Sequence, residues 1–407
     1  MRGKESQSFA RVPVVGGVGS RDWWVVFGVG ILLGAAILSM KLLLTETDAG
    51  PSRARLEAQA VTGVKSLAQP GLPLVEVRAQ PAPGRGEENE GDRQEQGVKD
   101  VQAVTKPPVP SPLDQVVVQV YRTASGKVER VALEQYVQGV LAGEMPASFE
   151  MEALKAQAIA ARTYIMRRLL LSDRSGMEGK RGDVTDSVQH QVYLSEQDLA
   201  AKWPEEERED NWRKLKRAAD ETKGQLLMYR GEPVQAFYFS TSNGYTENSE
   251  DYWGSEIPYL RSVASPWDEG ISPRYEAEIS LTLKDFYRKL GISGKAASAK
   301  LNMKVVERTE GNRILAVKIN GETFAGRELR EKLELNSTAF QWQVNGDRIV
   351  IKTQGFGHGV GMSQWGANGM AMQGGTAEDI LHHYYKDTSV EEASKLAMKL
   401  LQPISNS

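Results

Sequence analysis

A glutamate close to a proline is the strongest candidate for chemistry in this sequence. Glu144 follows Gly143 and precedes Met145 and Pro146. Because proline disfavours a helical conformation in the residue before it, a helix should end near this point. The carboxylate then sits at the tip of an apolar segment, where burial raises the pKa of a carboxyl group toward the value that a general acid needs. An exposed loop glutamate without a function is the alternative.

Two basic side chains lie on the helix expected next. Apolar residues at helical intervals predict a helix over Met151–Leu171. Lys155 and Arg162 are two turns apart on one side of that helix. A basic edge beside a carboxylate can hold an anionic substrate or support changes of charge on the glutamate. A solvated helix face has the same spacing, so the pattern leaves both interpretations open.

A hydroxyl-rich turn follows an aromatic segment later in the chain. Residues 234–242 have the composition of a strand and end in Ser240, Thr241 and Ser242. Hydroxyl groups orient a sugar ring, and aromatic faces such as that of Trp253 pack on its C–H side, so the segment suits carbohydrate binding. A polar turn beside aromatic residues of the core is an equally good explanation.

A glycine-rich segment spans Gly355–Ala371. Its glycines indicate tight turns that leave the backbone exposed, but it lacks the Gly-Lys-Ser/Thr ending of a phosphate-binding loop. The segment presents His358 and Gln364, which we assign to substrate binding together with the basic and hydroxyl residues above. His358 can carry a second proton or orient a hydrogen bond, although a lone histidine can also be purely structural.

Composition excludes several kinds of chemistry. The absence of cysteine rules out disulfides, thiolate zinc sites and a cysteine nucleophile. Of the four histidines, His382 and His383 are adjacent and point about 100° apart on a helix, so together they suit a metal poorly and we interpret them as structural. The net charge of −3 gives no overall basic surface for nucleic acid. We therefore expect no metal, no cofactor and no nucleic-acid partner.

The N-terminal region has the pattern of a membrane anchor. Trp23–Met40 is an uncharged run of 18 residues, and with the leucines after Lys41 it is long enough to cross a hydrocarbon core of about 30 Å. A cleaved signal peptide is the alternative, but its apolar part is shorter and a cleavage site follows it. Basic residues precede the run, which predicts a cytoplasmic tail over residues 1–22, an anchor over 23–44 and export of the rest.

The exported part divides into a linker and a mixed domain. Residues 45–113 hold nine of the chain's 17 prolines and are strongly polar, which predicts a disordered linker. Thr376-Ala-Glu-Asp379 has the pattern of a capping box that starts a last helix. Strands are predicted near Val116–Tyr121 and over 314–320 and 348–355, with helices between them but without a regular βαβ repeat. The fold class is therefore α+β, with a catalytic domain over 114–390, a smaller inserted β-rich part and a C-terminal tail over 391–407.

Three segments together resemble one known family. The residues that show it are GEMPASFEMEALKAQAIAARTY, FYFSTSNGYTENSEDYWG and GFGHGVGMSQWGANGMAMQGGTAEDILHHYY. They resemble, in order, the family of stage II sporulation protein D and its relatives, the amidase enhancers. The likeness covers about 270 residues from Val116 to Asp387.

The resemblance implies a lytic transglycosylase that cleaves the glycan strands of peptidoglycan. The family's catalytic glutamate matches Glu144, its functional lysine and arginine match Lys155 and Arg162, and its Ser-Thr-Ser turn matches Ser240–Ser242. The resemblance also implies strands stripped of their stem peptides as substrate, a membrane-bound amidase and other engulfment proteins as partners, and a location between mother cell and forespore. A glycan-binding activator of the amidase, without catalysis, is the alternative.

One departure from the family concerns zinc. Some members of the family that this sequence resembles carry cysteine and histidine zinc ligands before a Gln-Val-Tyr element. In this sequence the same region, Asp183–Tyr193, retains only His190 and no cysteine. We therefore expect no zinc here.

The predicted topology can be tested on intact protoplasts. Because four basic residues precede the uncharged run, residues 45–407 should lie outside the membrane and protease added outside should digest the region around Glu144. A cytoplasmic marker protein should survive the same treatment. Protection of the Glu144 region would invert the topology, and release of a shortened soluble form would identify a cleaved signal peptide.

Overall fold

The computed structural model describes residues 111–294, 297 and 300–401. The predicted anchor at 23–44 and the predicted linker up to residue 110 lie outside the described residues. Within the described residues, no helix is both long enough and apolar enough to cross a membrane.

The described residues form a mixed set of helices and strands, which confirms the α+β class. The helices are α1 Leu133–Glu144, α2 Met151–Leu170, α3 Glu196–Lys202, α4 Glu205–Glu221, α5 Ser249–Trp253, α6 Leu283–Leu290, α7 Gly326–Leu333, α8 Gln364–Met372, α9 Ala377–Tyr384 and α10 Ser394–Leu401. The strands are β1 Val117–Arg122, β2 Lys127–Ala132, β3 Val184–Thr185, β4 Gln225–Tyr229, β5 Glu232–Pro233, β6 Tyr238–Phe239, β7 Gly244–Tyr245, β8 Ala264–Ser265, β9 Glu276–Thr282, β10 Met303–Arg308, β11 Ile314–Ile319, β12 Glu322–Ala325, β13 Ala339–Asn345, β14 Arg348–Gln354, β15 Met362–Ser363 and β16 Ser389–Glu392.

The main part of the domain is the described chain outside an insertion between β8 and β15, and helix α2 lies at its centre. Five of its 20 residues are alanines and all five are buried, so neighbouring elements can approach it closely on several sides. Ala153 and Ala160 pack in a core with α8 and α9, Ala161 and Ile165 pack in a second core with β1, and Ala158 packs in a third with α1 and α4. Because its buried residues contribute to three different cores, α2 is the element around which the others assemble.

A smaller β-rich part is inserted between β8 and β15. It contains two three-stranded sheets, β13-β14-β9 and β10-β11-β12. Both sheets pack with α6 and α7 around a core of their own, which includes Phe286, Val317, Leu329 and Ile351. Since the chain returns to the main part directly after Gln354, this insertion can present residues beside the glycine-rich segment that follows.

Folded elements extend beyond two predicted boundaries of the domain. Leu113, the last residue of the predicted linker, is buried in a short 3-10 helix over Pro112–Gln115. The predicted tail from residue 391 continues β16, which pairs with β4, and then forms α10 with Ala397 buried. Short amphipathic segments of this kind lack the length that a sequence pattern needs, so only their packing partners identify them.

Most of the predicted elements are observed, and the strands predicted near Val116–Tyr121 and over 314–320 and 348–355 are β1, β11 and β14. The helix predicted over Met151–Leu171 is observed as α2, and the capping box predicted at Thr376 is observed at the start of α9. The strand predicted over 234–242 is reduced to Tyr238–Phe239, which pairs in parallel with β15 for only two residues. Gly361 explains the arrangement, because a Cβ at this position would lie 2.0 Å from the carbonyl oxygen of Phe237.

Arg162, predicted to bind substrate, is instead fully buried between elements of the main part. Its Nε and Nη2 donate to the two carboxylate oxygens of Glu134 at 2.9 and 2.7 Å. Its remaining donors reach the carbonyl oxygens of Gln225 at 3.3 Å and Ala219 at 3.2 Å. The guanidinium therefore links α1, α2, α4 and β4, and it has no surface to offer a ligand.

We expect Arg162→Ala to act on folding. The substitution leaves Glu134 without its partner and two carbonyl groups without donors, which should lower the free energy of unfolding by about 3–5 kcal/mol. Lys155→Ala is the matched control, because Lys155 makes only partly exposed ion pairs with Glu152 and Glu221 and its loss should cost less than about 1 kcal/mol. Urea unfolding of both variants measures the difference, and equal stabilities would contradict the structural role.

Candidate active site

A groove of about 820 Å³ contains Glu144 in its wall. Residues from α1, β6, α8, the insertion and the loop before α3 line it. They include Gly143, Glu144, Phe149, Gln191, Val192, Tyr238, Ser240, Trp253, Arg274, Arg330, Phe356, His358, Gln364 and Trp365. Glu144 is the only acidic residue among the described residues that line this groove.

Glu144 is the last residue of α1, as the nearby proline predicts. Its Oε1 accepts a hydrogen bond of 2.7 Å from the backbone N–H of Val192. Burial raises the pKa of the Glu144 carboxyl group, and hydrogen bonds from Val192, Tyr238 and Gln364 offset part of this effect. Burial thus shifts the equilibrium of this group toward its protonated form, and the neighbouring donors stabilise its ionised form.

Two glycines on α1 allow the Val192 segment to approach. A Cβ on Gly143 would lie 2.1 Å from the carbonyl oxygen of Val192, and a Cβ on Gly139 would lie 2.4 Å from the ring of Tyr193. The four-residue spacing puts both glycines on one side of the helix. Leu194 N–H donates to the Gly139 carbonyl at 3.1 Å, so the segment lies directly on the helix backbone.

A chain of buried side chains orients the second donor to Glu144. Tyr136 Oη donates to Gln191 Oε1 at 3.0 Å, and Gln191 Nε2 donates to Tyr238 Oη at 3.1 Å. Because the Tyr238 oxygen accepts from Gln191, its own proton is free to point at Glu144. Burial raises the pKa of both tyrosines well above the ordinary value, so they remain donors at neutral pH.

Lys202 adds a positive charge near the carboxylate. Its Nζ donates to the carbonyl oxygen of Ala142 in the last turn of α1. The attraction of Lys202 lowers the pKa of Glu144, although it is the weakest of the main causes. Since the residue is exposed, solvent screens this attraction.

The Ser-Thr-Ser turn has one residue in the groove and two behind it. Ser240 lines the groove, whereas Thr241 and Ser242 are completely buried. The backbone N–H and Oγ of Ser242 both donate to the Asp268 carboxylate at 2.8 Å. The predicted sugar contact from Thr241 and Ser242 is therefore replaced by a role in holding the turn.

Asp268 joins this turn to the glycine-rich segment. Besides Ser242, its carboxylate accepts from Ser265 Oγ at 2.9 Å and from Ser363 Oγ at 2.5 Å. The burial of Asp268 raises the pKa of its carboxyl group, which these hydroxyl donors offset in part. Because Ser363 also caps α8, the cluster fixes where α8 begins and hence where Gln364 stands.

Gln364 places an amide donor beside the carboxylate. Its amide is close enough to lower the pKa of Glu144, yet its buried Nε2 has no hydrogen-bond partner of good geometry within the described residues. A buried donor without a partner is costly unless a ligand satisfies it. A hydrogen bond from this amide to a ligand would satisfy it, and substrate binding by Gln364 stays a prediction.

His358 is held in its neutral form. Its Nδ1 accepts from the backbone N–H of Val360 at 3.0 Å, and the Tyr238 carbonyl accepts a hydrogen bond from the ring. Burial, helped by the charges of Arg330 and Arg313, lowers the pKa of His358 to about 3. His358 lines the groove as predicted, but it can orient neighbouring groups and cannot serve as a second proton carrier near neutral pH.

His190 connects two loops beside the groove. Its Nδ1 accepts from the backbone N–H of Thr185 at 3.1 Å, and its Nε2 lies 3.0 Å from the Ser175 carbonyl oxygen. The ring nitrogens are thus engaged by the protein itself. Across the described residues, no group of three or more histidine, aspartate or glutamate side chains has the arrangement of a metal site.

The predicted site residues thus divide into two sets. Four line the groove: Glu144, Ser240, His358 and Gln364. Four lie elsewhere: Lys155, Arg162, Thr241 and Ser242. In the second set, Lys155 and Arg162 were chosen from their helical spacing, and Thr241 and Ser242 from a run of hydroxyl residues. Neither pattern distinguishes a ligand contact from a hydrogen bond or ion pair within the protein. The sequence interpretation also missed Val192, Gln191, Tyr238 and Arg330, and for the first two the Gln-Val-Tyr segment beside His190 was the available signal.

Comparison with known proteins agrees with the resemblance seen in the sequence. The family model described as stage II sporulation protein (SpoIID) matches residues 121–229. Stage II sporulation protein D of Bacillus subtilis (strain 168) is 48% identical over 287 residues, or 70% of this chain and 82% of the relative. The protein of the same name from Bacillus amyloliquefaciens is 46% identical over an equally long match. The Amidase enhancer of Bacillus subtilis (strain 168) is 27% identical over 306 residues, 62% of this chain and 40% of that protein.

These similarities define the class as sporulation proteins, and the matched region contains Glu144 and the α1–α2 framework around it. The chain belongs to the stage II sporulation protein D family.

We expect Gly143→Ala to separate Val192 from Glu144. The added methyl group meets a backbone carbonyl and not a flexible side chain, so the segment must move and the 2.7 Å hydrogen bond to Glu144 should lengthen or break. The pKa of Glu144 should then rise further, because that bond lowers it. Carbon NMR of the labelled carboxyl groups measures this pKa.

Val192→Ala is the matched control for this prediction. It shortens the side chain of the same residue but retains the backbone N–H, so the pKa of Glu144 should stay near its original value. An unchanged pKa in Gly143→Ala would mean that the segment accommodates the methyl group without loss of the bond.

Proposed function

We propose that this protein is a lytic transglycosylase that cleaves the glycan strands of peptidoglycan with Glu144 as its general acid and base. The observation that supports this reaction most is the single carboxylate of the groove. An ordinary glycosidase needs two carboxyl groups about 5–9.5 Å apart, one of them to act on water or on the sugar itself. A lytic transglycosylase needs one, because the substrate supplies its own nucleophile.

The reaction uses Glu144 twice. The protonated carboxyl group donates its proton to the glycosidic oxygen as the bond from that oxygen to C1 breaks. The C6 hydroxyl of the same sugar then attacks C1, and the carboxylate of Glu144 accepts the hydroxyl proton as the 1,6-anhydro ring closes. Glu144 returns to its starting form, and no water is consumed. Attack within one sugar has a high effective molarity, which replaces the positioning of a water molecule.

The hydrogen-bond donors around Glu144 suit the stage of the reaction at which its carboxyl group is ionised. When Glu144 has given up its proton, Val192 N–H, the Tyr238 hydroxyl and the Gln364 amide face an ionised carboxylate. Hydrogen bonds to a charged acceptor are stronger than those to a neutral one. These groups therefore stabilise the carboxylate while it waits for the C6 proton, at a point where the sugar ring carries positive charge.

Aromatic residues of the groove suit a sugar ligand. Trp365 packs edge-on against Phe149 with ring centroids 4.7 Å apart, and Trp253 packs against Phe237 with ring centroids 4.5 Å apart. All four rings line the groove. Both tryptophans are partly exposed within the lining. Their faces can pack on the C–H side of sugar rings while Ser240 and Gln364 offer hydrogen bonds.

Membership of the family supports a proposal about the biological setting. We infer that the substrate is the strand from which an amidase has removed the stem peptides, that the protein acts during engulfment, and that the predicted anchor holds it at the membrane between mother cell and forespore. One relative bears the name Amidase enhancer. That name favours the second candidate, a glycan-binding activator of a cell-wall amidase that performs no cleavage itself.

Glu144→Gln should abolish cleavage and retain glycan binding. The change removes the proton and preserves the shape, so the rate of the chemical step should fall by about 10²–10⁴-fold or more. The measurement is mass spectrometry of 1,6-anhydro ends released from purified glycan strands, with Glu150→Gln, a helix-end glutamate outside the groove lining, as the matched control. Anhydro products from Glu144→Gln would move the acid elsewhere, and none from the unmodified protein would favour the activator.

A further inference from the structure

Two arginines line the groove without a carboxylate partner. Arg274 is exposed, and its guanidinium lies 4.7 Å from the ring centroid of Phe356. Arg330 is half-buried at the end of the groove formed by the insertion. Among the described residues, neither arginine has an aspartate or glutamate oxygen within 4 Å, although most other arginines near this site do. The groove wall therefore carries two positive charges that the protein does not neutralise locally.

Arg330 is held in place by neutral groups. Its Nη1 donates to Tyr252 Oη at 2.9 Å, and its Nε lies 3.3 Å from the carbonyl oxygen of Asn336. The same carbonyl accepts the backbone N–H of Gly357 at 3.0 Å. The contacts fix the guanidinium against the glycine-rich segment, yet they leave its charge uncompensated, so the side chain is positioned before any ligand arrives.

The electrostatics of the wall point to an anion. The charges of Arg330 and Arg313 help to keep His358 neutral, whereas the charge that acts on Glu144 comes mainly from Lys202. Arg313 is compensated by Glu247, whose Oε1 lies 3.5 Å from Nε. The free charge is thus concentrated on Arg274 and Arg330. A guanidinium fits a carboxylate through two parallel hydrogen bonds, which a neutral sugar hydroxyl does not match.

We propose that Arg274 and Arg330 form a subsite that binds a carboxylate carried by the glycan strand. The inference rests on the proposed function, because it takes a peptidoglycan strand as the ligand of the groove. Two parts of such a strand carry carboxylates: the lactyl group of a muramic acid that bears no peptide, and the stem peptide where one is attached. Either source would fix the direction and register of the strand relative to Glu144.

The test measures binding and needs no cleavage. Full-length Glu144→Gln protein is titrated with glycan strands that have free lactyl carboxylates, with the same strands after conversion of those carboxylates to amides, and with strands that retain stem peptides. The amidated strand should bind about tenfold to a hundredfold more weakly than the free acid, as expected for loss of charge-assisted hydrogen bonds.

Added substitutions identify the arginines. Arg274→Gln and Arg330→Gln should each weaken binding of the free-acid strand about tenfold and leave binding of the amidated strand unchanged. Arg330→Lys should retain part of the affinity. Arg327→Gln is the matched control, because Arg327 lies on the same helix, pairs with Glu331 at 2.8 Å and is absent from the groove lining. Arg274 is exposed, so Arg274→Gln should fold normally. Its binding data therefore test the proposal even if Arg330→Gln disturbs folding.

The outcomes separate the possibilities. A loss confined to strands with free lactyl carboxylates supports the subsite and identifies its ligand, and a loss confined to peptide-bearing strands supports it with the peptide as the source. Equal weakening of acid and amidated strands would overturn it, since the arginines would then contribute only packing or folding. Because binding is measured in a variant that cannot cleave, failure of the transglycosylase proposal would show separately, as absence of anhydro products from the unmodified protein.

Discussion

The contact between α1 and the segment Gln191–Leu194 is the constraint on which the site depends. Gly139 and Gly143 remove the side chains that would keep this segment away from the helix. The close approach brings Val192 N–H to Glu144, and it brings Gln191 to the position where it orients Tyr238. A single backbone contact thus supplies both a donor to the carboxylate and the anchor of the next donor.

A second constraint brings distant parts of the chain to the same groove. The Asp268 carboxylate collects donors from Ser242, Ser265 and Ser363. Each hydroxyl belongs to a different segment, and their shared acceptor fixes the turn that presents Ser240 against the helix that presents Gln364. A buried carboxylate requires such donors, because without them its desolvation would be severe. Thr241 and Ser242, which the sequence suggested as sugar-binding residues, are buried and mainly hold the framework of the groove.

Sequence reasoning succeeded where the cause is local. The end of α1 beside Pro146, the extent of α2 and the capping box at Thr376 follow from neighbouring residues alone. Arg162 could not be assigned correctly, because its burial depends on Ala219 and Gln225, which lie more than 50 residues away. Arg330 was missed for a similar reason: the insertion has its own core, and only the folded chain shows that Arg330 of α7 lines the groove.

The state of Glu144 bears on whether this groove binds or cuts. A carboxyl group would not help a surface that only binds an acidic strand, because an ionised glutamate repels an anionic ligand. Here the burial of Glu144 raises its pKa, and three neutral donors surround it. Burial shifts the equilibrium toward the protonated form, and the donors stabilise the carboxylate once its proton has left. A general acid that alternates between these two forms needs both properties, which supports the proposal of catalysis over recruitment of a partner enzyme.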